Sequence, residues 1–437
     1  MVSAEAIPAT RSARCSRSIH RTSRRPPSSR SRDAATFPPR RRRGRFASWV
    51  STQTRPIRSL SERPRRPLRI AQVAPPLEPV PPHAYGGTER VVHELVAELV
   101  RRGHEVTTFA SGDSNVPGTL VETVPRALWP AGFGGDTSGW FVATIQAVLA
   151  RAADFDIVHG HLEWYGPLLA GLGATAGVPV VSTFHGRLDL PWAGAVLSAA
   201  PGRYVAISRS QASAHPQVDW AGVVHNGLRL DDAPFGSAPA DALCFVGRVA
   251  PEKGILDALA IADVAGRPLR IAAKIATIPD QRAYYEDVFV PALRKAGSRV
   301  EFLGELERHE RDALLADSYA SLMPGSWPEP FGLVAIESLA CGTPVIARPA
   351  GALPEIVRDG VDGFFADDVE RLAAAVDRVG ELDRAAIRAS VVDRFSSARM
   401  ADGYEAIYGG LIPPDRAAGE RAARRVPAAT NGDRATG

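Results

Sequence analysis

Four short stretches carry residues suited to a phosphorylated ligand. The first is Gly247-Arg248-Val249-Ala250-Pro251-Glu252-Lys253-Gly254, directly after an apolar run at 242–245 that reads as a strand. Arg248 supplies a forked donor and Lys253 a point charge, and together they suit one diphosphate. The segment lacks the Gly-Lys-Ser/Thr of a Walker A loop, and a solvated pair of cations is the bland alternative. The second is Tyr85-Gly86-Gly87-Thr88. Gly86 and Gly87 let a backbone approach a phosphate, and the helix that follows offers free N–H groups with a partial positive charge. By itself Gly-Gly is equally a tight turn.

The third stretch, Pro328-Glu329-Pro330-Phe331-Gly332-Leu333-Val334-Ala335-Ile336-Glu337, is the most specific. Two prolines hold Glu329 in a rigid loop rather than a helix. Phe331, Gly332, Leu333 and Val334 then open a helix and present backbone N–H groups, a second anion site. Glu337, one to two turns in, suits a ribose diol, as acids do in dinucleotide folds. Glu329 at the mouth suits sugar hydroxyls. The alternative is a capped helix with two solvent-facing acids. Histidines form the fourth group: His185 in Thr-Phe-His-Gly, and His159 and His161 in Val-His-Gly-His, all at strand ends. The 159/161 pair has metal-ligand spacing without an obvious third ligand, so no metal is expected. Gly171-Leu172-Gly173-Ala174-Thr175-Ala176 imitates a dinucleotide fingerprint but follows a helix and precedes a strand, the wrong context.

These residues need a scaffold that delivers strand ends to one place. From Leu68 the pattern is strand 68–73, Pro-rich loop, helical spacing of Val91, Val92, Leu95, Val96, Leu99 and Val100, then strand 105–109. Strands at 156–159, 178–183, 204–207 and 222–225 follow. After a polar linker at 231–239 the unit restarts with strand 242–245, helix 255–265 and strand 269–273, then strands at 300–303, 320–323, 344–346 and 363–365. Alternating β and helical runs predict an α/β fold with two Rossmann-like, doubly wound parallel-sheet domains, at 67–232 and 240–395. Ligands of such sheets bind beyond the carboxyl ends of the strands.

Composition narrows the function classes. The 437 residues suit two or three domains. Three cysteines, Cys15, Cys244 and Cys341, are too few and scattered for a disulfide framework or zinc site. No apolar run reaches the roughly 18 residues of a membrane span, and no secretory h-region is seen, so the expected placement is cytoplasmic with at most peripheral membrane contact. The net charge of +4 is the sum of two opposite parts. Residues 1–66 hold 18 arginines against three acids, whereas the remainder holds 34 basic residues against 45 acidic ones. The basic balance therefore belongs to the Arg-, Ser- and Pro-rich extension, expected to be disordered, and no nucleic-acid partner is expected. An electrostatic arm, a transit peptide and an over-extended reading frame with its true start near Leu68 all fit that extension. Residues 413–437 are also expected to be disordered.

Taken together, the Gly86-Gly87 loop, Gly247-Arg248-x4-Lys253-Gly254 and Glu329-x7-Glu337 resemble retaining glycosyltransferases of family 4, which have the two-domain GT-B fold; the resemblance covers about 68–412. It implies a cleft between an acceptor-side first domain and a donor-side second domain, with residues 396–412 as a closing helix packing back on the first. It implies that Arg248 and Lys253 hold the donor diphosphate, Glu337 the ribose and Glu329 the sugar hydroxyls, helped by the Phe331–Val334 amides. Gly86 and Gly87 would touch phosphate, and His185 would lie near the transferred sugar. It further implies no cofactor and no metal: a nucleoside-diphosphate sugar, UDP-glucose being the commonest, is a co-substrate. Transfer with retention would go to a small-molecule, lipid or glycan acceptor. Where many relatives carry a Gly-containing turn, this chain has Ala272-Ala273-Lys274, so Lys274 either adds charge to the diphosphate site or is solvated. The acceptor pocket is expected on loops 75–85, 129–139 and 186–195, with Trp129, Trp140, Trp164 and Trp192 as stacking or core residues. Three other readings share these residues: a nucleotide-sugar 2-epimerase, a glycoside hydrolase using Glu329 and Glu337, and a non-catalytic nucleotide-sugar-binding protein.

Overall fold

A computed structural model describes residues 67–83, 86–199, 203–275 and 279–413. The readings made for 1–66, Tyr85 and 414–437 fall outside these residues. Thirteen strands are described: β1 Arg69–Val73, β2 Glu105–Ser111, β3 Thr119–Val124, β4 Ile157–Gly160, β5 Val180–Phe184, β6 Tyr204–Ala206, β7 Trp220–Val223, β8 Leu243–Arg248, β9 Leu269–Lys274, β10 Val300–Gly304, β11 Ser321–Met323, β12 Val345–Ala347 and β13 Gly363–Phe365. They form two sheets in the orders β3-β2-β1-β4-β5-β6-β7 and β10-β9-β8-β11-β12-β13, with every described pairing parallel. Ile70, Val73, Val158 and Val181 are buried, as are Leu243, Ile271, Leu322 and Ile346. A parallel sheet covered by helices on both faces requires such runs.

Each sheet reverses its strand order once, between β1 and β4 and between β8 and β11. Loops leaving the carboxyl ends there part to opposite faces and open a crevice. The chain stretches after β1, β8 and β11 hold the glycine pair, the Arg–Lys segment and the Glu329–Glu337 segment. Every strand expected from the pattern is present to within a few residues. One further strand, β3, was not expected: it is an edge strand whose Thr-Leu-Val-Glu-Thr-Val is largely half-buried, and it shows no long apolar run. The second correction concerns β8, which was expected to stop at 245 before a loop. It runs on through Gly247 and Arg248, in register with Ala273 and Lys274 of β9.

The last helix, Ser397–Leu411, sits in the core of the first sheet rather than the second. Met400, Ala401, Tyr404 and Tyr408 are buried with Ile70, Val92, Leu95, Val181 and Val205. Its N-cap Ser396 accepts from Arg399 N, and the Arg102 guanidinium reaches Asp402, Glu405 and the Ala398 carbonyl at 2.7 Å each. A third apolar cluster joins the halves: Ile207, Leu228 and Leu230 pack with Phe331, Ala335, Ile336, Leu353 and Phe395.

Candidate active site

Arg248 and Lys274 occupy partner positions at the carboxyl ends of β8 and β9. Arg248 is lightly held, Nη2 lying 3.3 Å from Glu252 Oε1 and Nη1 3.4 Å from Gln281 Oε1. Beyond it, Pro251–Lys253 makes one 3-10 turn, and Gly254 takes φ 72° to start helix Ile255–Val264. A Cβ at Gly254 would stand 2.8 Å from the Pro324 carbonyl carbon, so both the φ and the close approach demand glycine. This turn aims Lys253 at the other loop: its Nζ donates to Glu329 Oε2 at 2.6 Å and lies 4.5 Å from the Trp327 ring centroid. Glu329 Oε2 also accepts from Trp327 Nε1 at 2.8 Å.

Gly332, at φ 105°, caps helix Leu333–Ala340 without a side-chain hydrogen bond. The Phe331 side chain itself is buried in the cluster joining the halves. The glycine pair abuts this helix start. A Cβ on Gly87 would lie 3.4 Å from Leu333 Cδ1, and one on Gly86 would strike Pro82 at 2.7 Å.

Glu337 is buried, and its carboxylate faces two guanidiniums. Arg311 Nη2 stands 3.0 Å from Oε1, and Arg90, arriving from the first-domain helix Gly87–Arg101, pairs with the same oxygen. Burial, together with the neighbouring Arg311 and Arg308 charges, pushes Arg90 down to about 9, and burial also lowers Arg311. The residue expected to meet a ribose thus bridges the halves instead of standing open. Lys274 also spans them. Its Nζ lies 3.6 Å from Glu78 Oε1 in the first domain and 3.7 Å from Glu305 Oε1, so it is neither solvated nor committed wholly to the Arg248 side.

From the first domain, His185 follows β5. Burial pushes it down to about 3, so the ring is neutral. Its backbone N–H and that of Gly186 donate to Glu163, at 2.9 and 3.1 Å. Glu163 holds φ 48°, a left-handed conformation uncommon outside glycine. Desolvation raises its carboxyl to about 7 against those two hydrogen bonds. Glu89, in the first turn after the glycine pair, is buried and raised to about 8, chiefly by desolvation, with Glu78 and Glu163 adding like charge.

His159 and His161 lie inside the first domain, both fully buried and their rings 4.0 Å apart. Their nitrogens are taken up by Tyr408, Thr183, Gln72 and His185. Among the described residues no group of three or more His, Cys, Asp or Glu could hold a metal ion. Trp164 and Trp192 meet edge-on at 4.4 Å, with Trp192 exposed, and the Arg187 guanidinium carbon lies 5.3 Å from the Trp327 ring centroid.

Sequence reasoning missed Arg90, Arg311, Glu163, Trp327 and Gln72. Arg90 follows the glycine pair by three positions, one helical turn, which was the available signal. Arg311 sits among Arg308, Glu310 and Asp312 and reads like any solvated helix face. Among the described residues no helix is long and apolar enough to cross a membrane.

Known proteins are similar to this chain in sequence and fold. The profile described as Glycosyltransferase Family 4 matches residues 85–232, and that described as Glycosyl transferases group 1 matches 238–390. Glycogen synthase of Mycobacterium tuberculosis H37Rv is 30% identical over 355 residues, covering 68% of this chain and 83% of that protein. D-inositol 3-phosphate glycosyltransferase of Mycolicibacterium smegmatis is 29% identical over 428 residues, covering 83% and 95%. Among solved structures, AviGT4, a glycosyltransferase involved in avilamycin A biosynthesis, superposes with a TM-score of 0.62 at 28% identity, covering 79% of this chain and 98% of that one. Anabaena HepE, solved with UDP and glucose, shares the fold with a TM-score of 0.61 at 19% identity, covering 79% and 100%. The chain therefore belongs to glycosyltransferase family 4 and is a glycosyltransferase of the GT-B type.

Proposed function

We propose that this chain transfers a hexose from a nucleoside-diphosphate sugar, with UDP-glucose the first donor to test, to a hydroxyl-bearing acceptor with retention of anomeric configuration. The reading is supported by the Lys253–Glu329 contact beside Trp327 in the second domain, with Gly87 of the first domain against Leu333 at the helix start and Arg187, two residues past His185, over the Trp327 ring. Departure of a nucleoside diphosphate develops negative charge, and preorganised cations and helix-start amides stabilise that charge most. Arg248 and Lys253 hold the diphosphate, with Lys274 adding charge at its edge. The backbone N–H groups of residues 331–334 face the same phosphates. Glu329 turns from Lys253 to the sugar hydroxyls, and Glu337 exchanges Arg90 for the ribose diol. The cations make a metal unnecessary, and no cofactor takes part.

The division of labour follows: residues 67–232 with the helix at 396–412 receive the acceptor, and residues 240–395 hold the donor. The relatives named for D-inositol 3-phosphate and for alpha-maltose-1-phosphate synthesis make polyol and sugar phosphates sensible first acceptors. The full chain is incubated with nucleotide sugars, in chelator, with and without these acceptors. Acceptor-dependent release of nucleoside diphosphate and an axial product linkage support the reading. Conversion of the nucleotide sugar without acceptor identifies an epimerase, and tight binding without breakdown identifies a sensor; either overturns it.

A further inference from the structure

Trp327 stands two residues before Glu329, and three contacts meet on it. Its indole Nε1–H donates to Glu329 Oε2 at 2.8 Å, the same oxygen that accepts from Lys253 Nζ at 2.6 Å. The Lys253 ammonium also lies 4.5 Å from the Trp327 ring centroid. The third contact comes from the first domain. The Arg187 guanidinium carbon lies 5.3 Å from the same centroid, and Arg187 is itself clamped to Asp189 by two hydrogen bonds, at 2.7 and 2.6 Å. Cations over an indole face are attracted by the ring quadrupole.

The backbone around this contact is held separately. Pro328 and Pro330 bias Trp327 and Glu329 away from helical backbone. The Glu329 carbonyl accepts from Ala352 N at 2.8 Å, and a Cβ on Gly351 would stand 2.2 Å from Glu329 N. The Pro330 carbonyl accepts from the Ser208 hydroxyl at 2.7 Å. These contacts leave the Glu329 side chain to be fixed, and its rotamer freedom is costly to remove. Two donors fix it, both at Oε2; among the described residues Oε1 takes no further hydrogen bond. The two donors differ in kind. Lys253 is a point charge on a flexible stem, which a more highly charged anion draws away. The indole of Trp327 is neutral and donates a single N–H, so a phosphate competes for it far less.

We propose that Trp327 is a positioning residue: when Lys253 leaves Glu329 for the donor diphosphate, the indole N–H keeps Oε2 in place, so that Oε1 accepts from a hydroxyl of the transferred sugar. The roles of the diphosphate and the sugar rest on the transferase reading. Trp327 acts through Glu329 and not on the reacting atoms. Arg187 seats the ring from the first domain, so the half that receives the acceptor helps to order a carboxylate of the half that holds the donor.

The test measures nucleoside diphosphate release from UDP-glucose, GDP-glucose and ADP-glucose by the full chain, with polyol and sugar phosphates as acceptors. Trp327→Phe keeps a ring beside Lys253 and Arg187 and removes only the N–H. It is expected to lower kcat by roughly 10- to 100-fold, the scale of one hydrogen bond to a charged group, with affinity for the free nucleoside diphosphate unchanged. In a Glu329→Ala chain the same change is expected to do nothing further, because the N–H then has no carboxylate to hold. Equal kcat in Trp327→Phe and the wild type overturns the proposal. So does an effect of the same size in the Glu329→Ala chain, which a merely structural role of Trp327 would give. A wild-type chain that releases no nucleoside diphosphate fails the transferase reading itself, and the proposal with it.

Discussion

Arg248 and Lys274 stand side by side, at partner positions on neighbouring parallel strands, at the carboxyl edge of the second sheet. Two like charges in adjacent positions cost stability unless an anion joins them. Lys274 relieves part of that cost by leaning toward Glu78 and Glu305, whereas among the described residues Arg248 has two long contacts, to Gln281 and Glu252. In the proposed function a diphosphate supplies the anion that joins them. Arg248→Ala and Lys253→Ala are each expected to lower kcat by about 10²–10³-fold, the usual cost of one preorganised donor at developing charge. Lys274→Ala should cost less, since its charge is already shared. Steady-state kinetics on the three variants check this, and an unchanged turnover number in Lys253→Ala contradicts the assignment.

Glu337 holds together two buried guanidiniums from different halves of the molecule. Removing it by Glu337→Ala takes the shared carboxylate from both buried guanidiniums, leaving Arg311 with Asp312 at 3.5 Å, a loss on the order of 3–5 kcal/mol. Arg90→Met has a different consequence. Glu337 keeps Arg311 and no longer needs to release Arg90 before meeting a ribose, so nucleotide affinity should rise a few-fold. Denaturant unfolding and calorimetry on the two variants separate these effects; weaker nucleotide binding in Arg90→Met would show that Arg90 belongs to the bound state instead.

The carboxyls of Glu89 and Glu163 are raised to about 8 and about 7, mainly by desolvation. Their neutral forms are favoured in the folded protein, so their contribution is fully present below the ordinary carboxyl range and is lost as pH rises through these values. Glu89 therefore makes the fold less stable as pH rises between about 4.5 and 8, and Glu163 does so between about 4.5 and 7. Glu89→Gln, which cannot ionise, should flatten the dependence of Tm on pH across that window. An equally steep profile in the variant would remove Glu89 from the account.

Tyr404 and Tyr408 are among the largest fully buried side chains, and both come from the last helix. Tyr404→Ala opens a cavity in the first-domain core and should cost about 3–5 kcal/mol. Because that core includes residues 400–412, a chain ending at Phe395 should lose the folded first domain as well. Circular dichroism and hydrogen exchange on the truncated chain check this: full protection of β1 and β5 amides in it would contradict the packing.

Much of the fold was legible because buried parallel strands are short apolar runs, and those runs mark their own positions. The edge strand β3 was not, since half-exposed Thr and Glu carry no such signal. The loops that carry Arg248, Lys253 and Glu329 were readable because prolines and glycines constrain where they can go. Arg90 and Arg311 were not readable: a buried ion pair between distant helices leaves the same letters as a solvated one. The histidine run was half legible. The spacing of His159 and His161 is that of metal ligands, but Gln72 lies 89 positions from its partner His161 and Tyr408 lies 249 from its partner His159, and they are brought near only by the sheet order and the returning helix.

Calorimetric titration of the full chain with UDP, GDP and ADP, in the presence of chelator, tests the central claim most directly. The account predicts saturable binding of one nucleoside diphosphate without metal, lost in Arg248→Ala and Lys253→Ala. No binding by any of the three, or binding indifferent to both substitutions, would contradict it.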